Sequence, residues 1–180
     1  MGGAGLLHWM MEINQDEKWE AHKLNVLLER STAKDLEEML KTKDGAGSTP
    51  IHWACNSGNV EGLQIILDHA SKHLSPETLR QVIEIVDEVG EQPIHYAALS
   101  GHTRCLSLLL SFGAFVDAVS SSGNSPLHYA AMNRHYDCLA LLMEKVHLSI
   151  FFFFSSSLLL FSSLLFSSRS SLLFIDHDRR

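Results

Sequence analysis

Eleven histidines and three cysteines are the side chains of this 180-residue chain best suited to metal or nucleophilic chemistry. Their spacing limits what they can do. His69 and His73 stand i, i+4, the separation at which one helix offers two imidazoles to a metal. No nearby Cys or Asp-rich set supplies a third ligand, and Pro76 marks the end of the helix nearby. Asp176, His177 and Asp178 cluster in what reads as a solvated end. A cysteine hydrolase needs a His converging on the thiol and a third group that orients it. Here Cys105 and Cys138 lie 33 residues apart in matching contexts, the pattern of small core hydrophobes. No Gly-rich phosphate loop, G-x-S-x-G or H-E-x-x-H string occurs. These residues specify no catalytic site, no metal site and no cofactor, and the chain reads as non-enzymatic.

The other histidines recur in register. His52, His95 and His128 close the strings Thr49-Pro50-Ile51-His52, Gln92-Pro93-Ile94-His95 and Ser125-Pro126-Leu127-His128. Gly47, Gly90 and Gly123 each precede the Pro by three residues. An aromatic and two small residues follow each His: Trp53-Ala54-Cys55, Tyr96-Ala97-Ala98 and Tyr129-Ala130-Ala131. Eleven residues beyond each His begins an i, i+3, i+4 apolar triplet: Leu63, Ile66, Leu67; Leu106, Leu109, Leu110; Leu139, Leu142, Met143. That is one face of a helix. The Gly suits a sharp turn with positive φ, Pro fits a first helical turn, and paired Ala lets helices approach closely. His102 and His135 repeat at the start of each second helix.

These strings resemble the ankyrin repeat, whose period is 33 residues and whose signature contains T-P-L-H-x-A. His95 to His128 spans 33 residues; His52 to His95 spans 43. The resemblance covers 31–146 and is strongest over 48–146. It implies an all-α solenoid of stacked helix-turn-helix units with β-turn or hairpin tips, each unit covering its neighbour's apolar face. It also implies that the motif histidines bond within the turn region, one per unit and roughly a helix spacing of 10 Å apart, too far to share a metal. Thr49, Pro50, His52, Gly90, Pro93, His95, Gly123, Pro126 and His128 are then structural. The ten extra residues between units one and two open on Ser75-Pro76, a good helix start, and predict an inserted helix over about 76–86. Residues 17–30 and 32–42 predict two further helices. The second carries Leu36, Met39 and Leu40 at the spacing of the apolar triplets.

The expected organisation is a disordered segment over 1–16, followed by a repeat domain over 17–148. Within the domain, a degenerate capping unit covers 17–47 and repeats cover 48–90 and 91–123. A repeat cut short at 124–148 leaves its outer face uncovered. Beyond it lies a Phe/Ser/Leu tail, 149–180. Residues 1–15 lack the features of a signal peptide.

The tail dominates the composition. Phe151 to Phe174 holds seven of the nine Phe, with nine Ser, seven Leu and Arg169. It has three readings: a membrane anchor, since 148–166 is a charge-free window of spanning length; translation of a pyrimidine-rich tract past an exon boundary, because T- and C-rich codons encode Phe, Ser and Leu; or a low-complexity segment without a folded role. Ser155, Ser156, Ser157, Ser162 and Ser163 weaken the first. All three place the tail outside the globular core. Residues 1–148 carry 11 of the 14 basic and 19 of the 21 acidic side chains. That acidic balance argues against nucleic acid as a partner. The sparse, odd cysteine count suits a reducing compartment, the cytoplasm, with a membrane site as the alternative if the tail is genuine.

The resemblance implies recognition of another protein on a concave surface built from turn tips and first helices. Carrying over the family's variable positions gives Ala46, Ser48, Asn56 and Ser57 in unit one and Glu88, Val89, Glu91, Leu99, Ser100 and Thr103 in unit two. Unit three supplies Ser121, Ser122, Asn124, Met132, Asn133 and Tyr136. Apolar Val89, Leu99, Met132 and Tyr136 beside Glu88 and Glu91 suit a partly basic, partly apolar partner. A tail-anchored adaptor, or a piece of a larger multidomain protein, are the alternatives.

Overall fold

The computed structural model describes residues 5–12 and 21–146. The chain divides into two units, Met1–Met143 and Glu144–Arg180; the stack is the first of these. Its helices are α1 (Leu6–Glu12), α2 (Ala21–Arg30), α3 (Ala33–Lys41), α4 (Pro50–Ser57), α5 (Val60–His73), α6 (Pro76–Ile83), α7 (Pro93–Leu99), α8 (Thr103–Ser111) and α9 (Pro126–Met132). A last helical run, α10, covers 136–146. The described residues contain no strand.

The chain opens its first helices with Pro at the first turn, in α4, α7 and α9. The preceding residues Thr49, Gln92 and Ser125 are extended, so each helix starts where Pro costs no amide bond. First helices form one column, with α1 packed on α4, α4 on α7 and α7 on α9. Second helices form another, α2 on α5 and α5 on α8. A third column pairs α3 with α6. One contiguous core runs through the stack, from Leu7 and Met11 through Ile51, Leu63, Ile66, Leu67, Ile94, Leu106 and Leu109 to Leu142.

Two sequence expectations change here. Residues 6–12 are not disordered but form a first helix, with Leu7 and Met11 buried against α4 and α5. Gly5-Leu6-Leu7-His8 is a disguised copy of the motif string. The N-terminal unit is therefore α1, α2 and α3, not a helix pair over 17–47. The inserted helix is likewise not a lone addition. α6 ends at Ile83, and Val86 lies beyond it, partly exposed. Its buried Leu79, Val82 and Ile83 sit 43 residues after Leu36, Met39 and Leu40, so α3 and α6 are equivalent third helices. Two three-helix units precede two units with a pair of helices each, α7 with α8 and α9 with α10. Residues 1–4, 13–20 and the tail, with every expectation attached to it, lie outside the described residues.

Among the described residues, nothing covers the forward face of unit three. Ala131 is exposed where Ala98 is buried, and Met132 and Met143 are 70% and 62% exposed.

Left-handed residues recur where each first helix ends: Gly58 (φ 73°), Gly101 (φ 76°) and Arg134 (φ 61°). A Cβ on Gly101 would lie 2.5 Å from the His135 ring, and one on Gly58 would lie 2.6 Å from His102. Gly is thus required where the next unit's His covers the turn. We expect Gly101→Ala to cost about 2 kcal/mol or more, combining left-handed strain with displacement of His135. Arg134→Gly should be neutral or stabilise by up to about 1 kcal/mol. Urea unfolding of the two variants checks the pair; equal effects would contradict the covering role of His135.

Candidate partner-binding face

Each joint in the stack is built from a motif histidine. The main-chain N–H of Thr49 donates to His52 Nδ1 (3.1 Å), and His52 Nε2 meets the Glu91 carbonyl (3.0 Å). A carbonyl only accepts, so Nε2 carries the proton. His95 repeats this, receiving the Gln92 N–H at Nδ1 (3.0 Å) and donating to the Ala118 carbonyl (3.1 Å). His8 does the same, between the Gly5 N–H (3.2 Å) and the Ser48 carbonyl (3.0 Å). Each ring caps its own helix and grips the next turn tip. Burial pushes His52 down to about 4, and pushes His95 down as well. His102 and His135 add a second set of ties, reaching back to the carbonyls of Asn56 (3.2 Å) and Leu99 (3.0 Å). His128 keeps the cap alone, with the Ser125 N–H at its Nδ1 (3.1 Å).

The turn tips share one design. The carbonyls of Asp44, Asp87 and Ser120 accept the N–H of Gly47, Gly90 and Gly123. Those glycines have φ of 77°, 76° and 81°. Asp44 Oδ1 also takes the N–H groups of Ala46 (2.8 Å) and Ser48 (2.9 Å), and its Oδ2 takes Trp53 Nε1–H (2.7 Å). Asp87 takes the N–H groups of Val89 and Glu91 (both 2.9 Å) and the Tyr96 hydroxyl (2.7 Å). Burial works to raise the Asp44 carboxyl, but the hydrogen bonds from Trp53, Ala46 and Ser48 outweigh it and hold the group below its ordinary value. Burial and the Asp87 carboxylate push the Tyr96 hydroxyl up to about 12. In unit three the Tyr129 hydroxyl donates to the Glu91 carboxylate instead. Each aromatic also stands edge-on to the preceding unit's histidine: Trp53 to His8, Tyr96 to His52 and Tyr129 to His95, with centroids 6.4, 5.5 and 5.8 Å apart.

The positions expected to meet a partner divide into two groups. Exposed ones include Ala46, Asn56, Glu88, Val89, Ser121, Ser122, Met132, Asn133 and Tyr136. Others are occupied within the fold. Ser48 is buried, with its carbonyl on His8 and its N–H on Asp44. Ser57 donates to the Met11 carbonyl, Ser100 to Asn56, and Thr103 pairs with the Cys138 sulfur. Glu91, in unit two, is tied to unit one through His52 and to unit three through Tyr129. Leu99 is half-buried against the core, and Asn124 bonds within its own tip. A pocket of about 200 Å³ opens beside the first tip, lined by Asp44, Ala46, Ser48, His52, Trp53, Asn56 and Tyr96. Sequence reasoning had placed Ala46, Ser48 and Asn56 on this face but missed Asp44, Trp53 and Tyr96. The signal existed, as an acid three residues before the Gly in two tips and an aromatic after every motif His.

The nucleophile candidates are quiet. Cys55, Cys105 and Cys138 are buried and free, and burial pushes the Cys105 thiol up to about 12. Burial raises Cys55 and Cys138 too. The His69 and His73 rings stack 6.1 Å apart, and no group of three or more metal-binding side chains occurs among the described residues. No helix among those residues is long and apolar enough to cross a membrane.

Comparison with known proteins agrees with this architecture. The profile described as ankyrin repeats (3 copies) matches residues 69–150, and a single ankyrin repeat profile matches 46–75. No curated protein matches the chain. Solved structures do match, including a chain from the crystal structure of the yeast ribosomal protein Rps3 in complex with its chaperone Yar1. It is 21% identical, with a TM-score of 0.64, over 70% of this chain and 84% of that one. At that identity the likeness speaks for the fold. Ankyrin repeats are in general modules for protein interaction. With four units joined by a histidine ladder and two profiles spanning 46–150, this chain belongs to the ankyrin repeat family.

Proposed function

We propose that the chain is a non-enzymatic adaptor that binds a protein partner through its concave face, on the turn tips and first helices of units one to three. One observation carries the reading. The residues that repeat are spent on the joints of the stack, while many of those that vary stand exposed on the tips, the first helices and the start of α10, including the large Val89 (59%), Met132 (70%) and Tyr136 (72%). Positions freed from packing can encode recognition, and large side chains dominate binding energy. Glu88 adds an exposed charge that steers a basic partner. The solved relative comes from a complex of a chaperone with a ribosomal protein, which fits a binding role and leaves this chain's own partner to be found.

Affinity capture followed by substitution tests the reading. Leu99 packs into the stack, so Val89→Ser with Tyr136→Ala is the cleaner pair. The double variant should lose tenfold or more in affinity for the captured partner, with an unchanged thermal melt. Full binding by this variant, with loss on substitution of exposed α6 residues such as Glu77 or Gln81, would overturn the concave-face assignment.

A further inference from the structure

We propose that the pocket beside the first turn tip receives one cationic side chain, a lysine or arginine, from an extended segment of the protein partner. The proposal rests on the concave-face reading and adds the chemistry of what that face holds.

Aromatic and anionic groups surround the pocket. Trp53 and Tyr96 are half-buried, each presenting part of its ring, and an aromatic face attracts a cation. Asp44 is held in its turn by three N–H donors and stays ionised, a carboxylate fixed at the pocket wall. Asp87 behind Tyr96 accepts two N–H groups and the Tyr96 hydroxyl. Among the described residues neither aspartate is in a salt bridge. Lys43, next to Asp44 in the chain, directs its Nζ to the Val86 carbonyl 2.7 Å away. His52, the remaining ring of the lining, stays neutral at ordinary pH because burial disfavours its charged form. An anion would meet Asp44, and an apolar side chain would desolvate that carboxylate without replacing its water. A cation satisfies both the carboxylate and the rings. The volume, about 200 Å³, suits one long side chain, not a folded element. The acid series also ends within the stack: Ser120 replaces the aspartate at the third tip. The partner's basic residue is thereby assigned to the joint of units one and two.

The full chain, labelled with nitrogen-15, tests this with three nine-residue Gly/Ser peptides whose central residue is lysine, arginine or norleucine. The lysine and arginine peptides should shift the Trp53 indole N–H signal saturably, assigned by its loss in Trp53→Phe. Norleucine, an apolar side chain of similar length, should shift it at least tenfold less at the same concentration. Asp44→Asn with Trp53→Phe keeps the turn acceptor and an aromatic ring but removes the charge; lysine-peptide affinity, read at the Ala46 and Ser48 amides, should fall tenfold or more. Asp87→Asn with Tyr96→Phe gives an independent variant and should weaken the same peptide at least threefold. An equal response to norleucine, or parental affinity in both folded double variants, overturns the proposal. A captured partner separates the two claims. If Val89→Ser/Tyr136→Ala loses it while Asp44→Asn/Trp53→Phe keeps it, the face stands and the cation slot falls. If neither pair weakens it, the concave-face reading falls as well.

Discussion

Leu109→Ala should lower the stability of the stack by about 2–5 kcal/mol, the usual cost of cutting a buried leucine back to its Cβ. Leu109 is fully buried on α8, a helix that packs on α4, α5 and α7. The cost belongs at the upper half of that range for a geometric reason. In a stack each unit touches only its neighbours, and here the inter-unit spacing is pinned by His52, His95, His102 and His135. The columns cannot slide together to fill the void. Leu110→Ala, at a half-buried position one residue on, should cost less than half as much. Urea unfolding at neutral pH measures both. An unchanged midpoint for Leu109→Ala would contradict the placement of α8.

Acid should loosen the stack well before its carboxylates titrate. His52 holds a folded-state value of about 4, against 6.5 in the unfolded chain. Above 6.5 both states are neutral and the joint is intact. Between 6.5 and about 4 the unfolded chain binds a proton that the folded one refuses, so stability falls as pH falls. The loss for His52 is on the order of 3 kcal/mol. His95 and His69, both pushed down by burial, act in the same direction. Glu84 opposes them, since burial raises its carboxyl, but it is one group against three rings. Carboxylates such as Asp44, held below 3.8, contribute only in more acidic solution. Urea midpoints at pH 7, 5.5 and 4.5 should therefore descend; a flat profile across that window would contradict neutral, buried motif histidines.

The repeats were legible because their chemistry is periodic. Pro50, Pro93 and Pro126 with the following histidines state both the helix start and the joint, and the apolar triplets state the face that stacks. The N-terminal unit was hidden by two substitutions, Gly5 for the Thr and Leu6 for the Pro, which leave only His8 and its aromatic neighbour Trp9 to mark the string. Its third helix was read as a second one because Leu36, Met39 and Leu40 share the spacing of the triplets; the 43-residue step to Leu79, Val82 and Ile83 was the clue to its true partner. The site was half legible. An aromatic after each motif His is visible in the sequence, whereas its acid partner lies nine residues upstream and meets it only once the tip folds over the helix. Glu91 shows the limit: nothing local marks it as the acceptor for Tyr129, 38 residues away, which removes it from the residues free to meet a partner.

The central claim is that recognition is written on the tips and first helices. Amide hydrogen exchange of the full chain, with and without a captured protein partner, tests it most directly. Binding should slow exchange at the tips, 44–48 and 87–91, and along α4 and α7, and leave α3 and α6 unchanged. Protection confined to α3 and α6, with the tips exchanging as in the free protein, would contradict it and assign binding to the third-helix column.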